Sequence, residues 1–263
     1  MILLPRAVYS PLDMLGGIVQ LGARVLYFMV RDVTGYWRSV RDEMYETLRV
    51  SWFPITLAVF SFGLMVGILA LNFTTLLGAN NRYGQYFFVG NVREFTPWIN
   101  SMVVAGIVGA AMCADLGARK VREELDALAV LGVDGVRELV VPRIVSMTLL
   151  TPLIMCVSVF IGVQCALVSS VTYGDVPAGE YLATVYANLT VVEIVVAFLK
   201  STIIGFVIGV VCSYLGLTAS GGAAGVGRAV NQAVVISFAL VFVVDLLINL
   251  IALGLYPEMQ TVR

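Results

Sequence analysis

The chain contains no histidine, and only 13% of its 263 residues are charged. It therefore lacks the side chain that most often transfers protons near neutral pH or binds transition metals. Its four cysteines lie in apolar runs without the paired spacings of zinc or redox sites. We predict no catalytic residue and no metal site, and a net charge of −1 gives no reason to expect nucleic-acid binding.

Apolar residues dominate instead, at 60% of the chain with a mean hydropathy of +0.95. A transmembrane helix needs about 20 mostly apolar residues. The long gaps between charged residues predict five such spans, at residues 52–77, 95–114, 144–173, 190–215 and 229–255. The sequence therefore predicts an all-α, multi-pass membrane protein whose transmembrane domain covers residues 51–263.

Residues 1–50 carry six arginines, and their apolar residues recur at steps of three and four. This pattern predicts interfacial amphipathic helices along the membrane surface, although a soluble helical hairpin packed on a partner remains an alternative. Pro11, Gly16 and Gly17 predict an early break in this segment. Twelve of the 16 Lys and Arg residues lie in this segment or in the loops that would share its side of the membrane. Because basic loops tend to stay in the cytoplasm, this distribution predicts a cytoplasmic N-terminus.

The stretch GARKVREELDALAVLGVD, residues 117–134, is unusually rich in charge. A helix capped by Asp115 and stopped by Gly132 would place Val121, Leu125 and Leu128 on an apolar stripe. The remaining faces would carry the charged residues Arg119, Lys120, Arg122, Glu123, Glu124 and Asp126, in three pairs spaced four apart. Such a helix could dock on a soluble partner or simply join two spans, and the spacing alone leaves both open.

Two charged residues interrupt the last two predicted spans. Lys200 and Asp245 each lie about ten residues from the outer end of their span, so both reach a depth of roughly 15 Å. An ionised group at such a depth costs on the order of 3 kcal/mol on insertion scales. We therefore predict an intramembrane ion pair between them, with Asn249 one helical turn away.

Several motifs together resemble the MlaE/YrbE permeases, in order and in spacing, over about residues 50–255. They are residues 93–97 (REFTP), 114–117 (ADLG), 122–128 (REELDAL), 133–143 and 220–229 (SGGAAGVGRA). The amino-acid sequence of residues 117–143 and of the glycine-rich run is most similar to the actinobacterial YrbE branch.

This resemblance implies the permease subunit of an ABC-type MCE lipid transporter in the inner (plasma) membrane. Residues 117–132 would be the coupling helix that contacts a cytoplasmic ABC ATPase, and Arg93 and Glu94 would lie at the head of a lipid cavity. The implied partners are a second permease, identical or different, and hexameric MCE proteins. The implied cargo is a fatty acid, a sterol or a phospholipid.

The glycine-rich run has Walker-like spacing, but it places Arg228 and Ala229 where a phosphate-binding loop needs Lys and Ser or Thr. We therefore expect no cofactor on this chain, with ATP and Mg²⁺ bound by the partner ATPase. Two other readings remain open. One is an ion-coupled secondary transporter that uses Lys200, Asp245 and Glu193, and the other is a membrane scaffold for envelope proteins.

Overall fold

A computed structural model describes residues 6–31, 35–174 and 176–256, with side chains from Leu12 onward. All regular structure in these ranges is helical, which confirms the all-α prediction. The α-helices are α1 Arg6–Arg31, α2 Trp37–Leu76, α3 Tyr83–Gly90, α4 Thr96–Val103, α5 Ala110–Val121, α6 Glu124–Val130, α7 Val141–Tyr173, α8 Ala178–Asn188, α9 Val191–Leu217 and α10 Gly222–Leu255.

Shorter helical segments connect some of these helices. A 3₁₀ turn at Asn80–Arg82 precedes α3, and π-helical segments occupy Asn91–Phe95, Val104–Gly109 and Val136–Val140. Each π segment widens the helix and shifts its backbone hydrogen bonds by one residue. Such segments often occur at functional sites, and the first of them carries Arg93 and Glu94.

Among the described residues, six helical stretches are long and apolar enough to cross a membrane. Five of them coincide with the five predicted spans to within one residue at either end or extend beyond them, which confirms a multi-pass membrane protein. The sixth is Leu12–Arg31, within the predicted interfacial segment. Length and composition would permit this stretch to span, so its location along the membrane surface stays a prediction.

The predicted early break in the N-terminal segment is wrong, because α1 runs without interruption from Arg6 to Arg31. A Cβ atom on Gly17 would overlap the ring of Tyr214, so this glycine allows close approach of α1 to α9 rather than a turn. Further along, α2 is continuous from Trp37 to Leu76 and contains Pro54. The proposed division of the chain near residue 50 therefore falls within a helix, and that division stays a prediction.

The chain forms two compact units. Unit 1 comprises Met1–Leu48, Ala105–Thr148 and Phe206–Ala239, and unit 2 comprises Arg49–Val104, Leu149–Gly205 and Leu240–Arg263. In unit 2, α3 packs against α8, where the rings of Tyr83 and Tyr181 lie 5.7 Å apart and are tilted by 38°. The Tyr83 hydroxyl donates to the carbonyls of Gly67 at 3.1 Å and Ala166 at 3.3 Å. Buried tyrosines thus tie the α2, α3 and α7 backbones together.

Close backbone approach characterises unit 1. Gly216 of α9 packs on Cys113 and Leu116 of α5, and a Cβ atom on Gly225 would overlap the carbonyl of Ser220. Without a driving force from water, helices in lipid associate through such small-residue contacts. The glycine-rich run begins in the tight turn between α9 and α10, with positive φ at Gly221, and continues as the first turns of α10.

Candidate functional site

Lys200 of α9 is the centre of a polar cluster in unit 2. Its side chain is only 1% exposed, and its Nζ donates to the Arg93 carbonyl and to Asn249 Oδ1, each at 2.7 Å. The same Nζ lies 2.9 Å from Asp245 Oδ1, an ion-pair contact. Lys200 and Asp245, which come from different predicted spans, are therefore adjacent. The π-helical backbone at Asn91–Phe95 explains why the Arg93 carbonyl can accept from a side chain, because the regular α-helical bonding pattern is interrupted there.

Asn249 connects the cluster to Glu94. Its Nδ2 donates to Glu94 Oε1 at 2.7 Å and to Asp245 Oδ2 at 3.1 Å, while its Oδ1 accepts from Lys200. The amide therefore bridges two carboxylates and an ammonium group. Glu94 itself is exposed in this single chain, whereas Lys200 and Asp245 are enclosed. Of this group, Glu94 is the carboxylate that an external ligand could reach.

Arg93 pairs with Glu193 of α9. Its Nη2 and Nε donate to Glu193 Oε1 at 2.5 Å and 3.1 Å, and the Glu193 side chain is 4% exposed. The second oxygen, Oε2, is buried with no hydrogen-bond partner among the described residues. This geometry makes the Arg93 guanidinium part of the internal packing. Arg93 and Glu94, which were both predicted to lie at the head of a lipid cavity, therefore have different surroundings.

The role of Glu193 in this pair was not predicted, although a local signal exists. Thr190 directly precedes α9, and its Oγ1 lies 3.5 Å from the Glu193 backbone nitrogen. A Thr three residues before Glu is typical of a helix N-terminus. The motif indicates where α9 begins, but it cannot reveal an arginine partner 100 residues away.

The cluster joins three segments of unit 2: the π-helical segment Asn91–Phe95, α9 and α10. If every group is ionised, its three carboxylates exceed its two cations by one, which gives a net charge of −1. The residues involved are Arg93, Glu94, Glu193, Lys200 and Asp245. Paired charges can hold helices together in lipid, where an unpaired one is strongly unfavourable.

The predicted coupling segment belongs to unit 1, and its structure differs from the prediction of a single helix. Asp115 lies inside α5 and is not an N-cap, since the helix continues from the preceding span to Val121. Glu123 then adopts a left-handed conformation with φ 60°, and the short α6 begins at Glu124. This break gives the residues on either side of it a new relative orientation.

Because of this break, the ion pairs of the segment differ from the predicted ones. Lys120 Nζ contacts Asp126 Oδ1 at 3.1 Å, and Arg122 Nε contacts Glu124 Oε1 at 2.7 Å. Arg119 contacts Asp115 at 2.9 Å and Glu124 at 3.4 Å. The three predicted pairs spaced four apart are therefore replaced, because such pairs require an uninterrupted helix through Glu123.

The predicted stop at Gly132 is confirmed. Gly132 has φ +74°, and the Val133 nitrogen donates to the Leu128 carbonyl at 2.9 Å, which closes the end of α6. Asp134 Oδ1 then accepts from the Val136 nitrogen at 3.0 Å and fixes the turn. Leu125 also faces this turn near Gly135.

The most exposed apolar residues of the segment were not predicted. Val130 is 88% exposed and Leu131 is 76% exposed, whereas Leu125 and Leu128 of the predicted stripe are half-buried. The stripe therefore packs partly against its own turn. The end of α6 presents a different apolar surface, which depends on where the helix stops.

Comparison with known proteins identifies the family. Residues 40–251 match the family described as Permease MlaE. The chain is 32% identical over 215 residues to Protein TRIGALACTOSYLDIACYLGLYCEROL 1, chloroplastic, of Arabidopsis thaliana, a match that covers 81% of this chain and 61% of that protein. This chain therefore spans less than two thirds of the length of that relative.

Two further relatives are probable ABC transporter permease proteins. The one from Synechocystis is 33% identical over 166 residues, which is 63% of each chain. The one from Rickettsia prowazekii is 28% identical over 195 residues, which is 74% of this chain and 75% of the relative. With its long apolar helices and this match over most of its length, the chain belongs to the MlaE permease family.

Proposed function

We propose that the chain is the membrane-spanning subunit of an ABC-type MCE lipid transporter and that α6 docks on a separate ATPase, which binds ATP and Mg²⁺. The observation that carries this proposal is the exposed end of α6, Val130 and Leu131, beside charges that pair with one another. Exposed apolar side chains beside internally neutralised charges suit an apolar groove on a soluble partner. The bacterial relatives are named as probable ABC transporter permeases, which agrees with such a partner.

The proposed cargo is a hydrophobic lipid. The Arabidopsis relative is named after trigalactosyldiacylglycerol, a lipid, which supports this class of substrate. The family resemblance further implies a second permease and hexameric MCE proteins, in an inner membrane with the N-terminus in the cytoplasm. Glu94, which is exposed and held by Asn249, is the group that we assign to a lipid head group.

For Lys200 and Asp245 we propose a structural or gating role rather than contact with the substrate. Lys200 is enclosed and committed to three oxygen atoms from other segments. Such a group keeps α9, α10 and the π-helical segment in one arrangement. A change in that arrangement would move Glu94 through Asn249.

The docking surface is tested by replacing Val130 and Leu131 with serine. Both side chains are largely exposed, so the thermal stability of the permease should not change, whereas co-purification of the ATPase should fall about tenfold or more. Tyr45→Ser, at a residue of α2 that is 70% exposed, is the matched control and should leave co-purification intact. Normal ATPase retention by the double serine variant would contradict docking through this surface.

Transport itself is tested with the complete complex, extracted in mild detergent and reconstituted into proteoliposomes. We expect co-purified lipid in mass spectra and lipid movement that requires ATP. Movement driven by an ion gradient without ATP would instead indicate a secondary transporter. Stable association with envelope proteins, without lipid movement under either condition, would indicate a scaffold.

A further inference from the structure

Ion pairs of unit 1 form a continuous series from the N-terminal helices to α6. Glu43 of α2 contacts Arg143 of α7 at 3.0 Å, and Arg143 contacts Asp115 of α5 at 2.6 Å. Asp115 also contacts Arg119, which reaches Glu124 of α6 at 3.4 Å. Acidic and basic groups alternate along the whole series, so each charge lies beside one of opposite sign.

Arg143 is the most enclosed member of this series, with 11% of its side chain exposed. Its Nε points to Glu43 and its Nη2 to Asp115, so one planar guanidinium joins two helices. A lysine could not reproduce this geometry, because its ammonium is a single point of charge. Ion pairs on an open surface contribute little, but enclosure reduces screening by solvent and makes the Arg143 contacts the strongest candidates for a mechanical link.

A second tie lies beyond the other end of α6. Arg24 of α1 contacts Asp134 at 2.6 Å, and the same carboxylate group fixes the turn through the Val136 nitrogen. The N-terminal helices thus connect to the start of α6 indirectly, through the series that ends at Glu124, and they contact the turn after α6 directly at Asp134. A segment that served only to anchor the chain to a membrane surface would not require contacts on both sides of α6.

We propose that α1 and the start of α2 belong to the coupling apparatus and move with α6 as one body, with Arg143 as the positioning residue. This inference rests on the proposed function of α6 and extends it to the N-terminal helices. A displacement of α6 by the ATPase would be passed to α2 through Arg119, Asp115, Arg143 and Glu43. Because α2 continues without a break to Leu76, the first predicted span is part of the helix that receives this displacement.

The first test measures the link without any ATPase. Spin labels at Val130 and Tyr45, which are 88% and 70% exposed, report the distance between α6 and α2 in the full-length permease. The exposed native thiol is removed by Cys156→Ala, while the other three cysteines are buried. We expect a narrow distribution of distances, which Glu43→Gln should make roughly twice as wide as α6 gains freedom.

Asp42→Asn is the matched control, since Asp42 is adjacent to Glu43 but pairs with Arg41 on an open surface. It should leave the distribution narrow. Arg24→Gln alters the second tie at a half-exposed position and should also widen the distribution, even if Glu43→Gln does not fold. An unchanged width in both Glu43→Gln and Arg24→Gln would overturn the proposal.

The second test uses the complex with its ATPase. Glu43→Gln and Arg143→Lys should keep ATPase binding but raise the ATP hydrolysed per lipid moved several-fold, a change that a merely structural defect in folding or expression would not produce. An unchanged ratio with a widened distribution would overturn the role in coupling. If the wild-type permease binds no ATPase, the proposed function fails, and the distance measurement still decides whether α6 and the N-terminal helices form one body.

Discussion

Replacing Lys200 with methionine keeps most of the length and the apolar, unbranched character of the side chain and removes its ammonium group. In the native protein this ammonium group, 1% exposed, lies 2.9 Å from Asp245 Oδ1. It also donates to the Arg93 carbonyl and to Asn249. The substitution therefore removes the cation beside Asp245, whose Oδ2 still accepts from the Asn249 amide at 3.1 Å.

The magnitude follows from the separation. At 2.9 Å and an effective dielectric constant of about 20, the attraction between Lys200 and Asp245 is roughly 6 kcal/mol. Desolvation of both groups offsets much of this attraction, but removing one partner alone typically costs about 3–5 kcal/mol because the other charge stays buried. In the double variant with Asp245→Asn the carboxylate that lost its partner is replaced by a neutral amide. The double variant should therefore be more stable than Lys200→Met by about 1–3 kcal/mol.

Unfolding in mixed micelles with sodium dodecyl sulfate, followed by tryptophan fluorescence, gives the four free energies of this cycle. The control cycle uses Arg41 and Asp42, whose side chains are 75% and 68% exposed and which should couple by less than about 1 kcal/mol. A double variant no more stable than Lys200→Met would refute the reasoning. Coupling equal to that of the control pair would refute it as well.

Other predictions concern packing and buried hydrogen bonds. Gly225→Ala should destabilise the protein by about 1–3 kcal/mol because its Cβ would overlap a backbone carbonyl, whereas Gly227→Ala, with open space around it, should be neutral or stabilising by up to about 1 kcal/mol. Equal melting temperatures would contradict this. Tyr83→Phe removes a buried hydroxyl bonded to two carbonyls and should lower stability by about 1 kcal/mol, measured as above. Tyr86→Phe, at a half-exposed ring, is its control and should have no effect.

Much of the fold follows from the sequence because the bilayer imposes simple requirements. Spans must be apolar over about 20 residues, so gaps between charges reveal them without knowledge of tertiary contacts. The fixed rise of a helix likewise allowed the depths of Lys200 and Asp245 to be compared. Gly132 was readable as a stop because a left-handed residue at a helix end favours glycine.

The break at Glu123 shows where local reasoning fails. Residues 117–132 have a spacing compatible with one helix, and charged residues at Arg122, Glu123 and Glu124 do not interrupt such a pattern. The structure instead ends α5 at Val121, with Asp115 engaged by Arg143. Contacts with other helices outweigh the small gains from the predicted pairs, each worth only a few tenths of a kcal/mol.

By itself, the sequence determined the all-α fold class, five of the segments that can cross a membrane and which charges reach similar depths, because these properties depend on local periodicity and length. Only the tertiary structure decided that Arg93 pairs with Glu193 and that Arg143 joins Glu43 to Asp115. Each of these pairs except Arg143–Asp115 links residues 100 positions apart. No local pattern encodes such partners, since they meet only when packing brings separate helices within reach of one another.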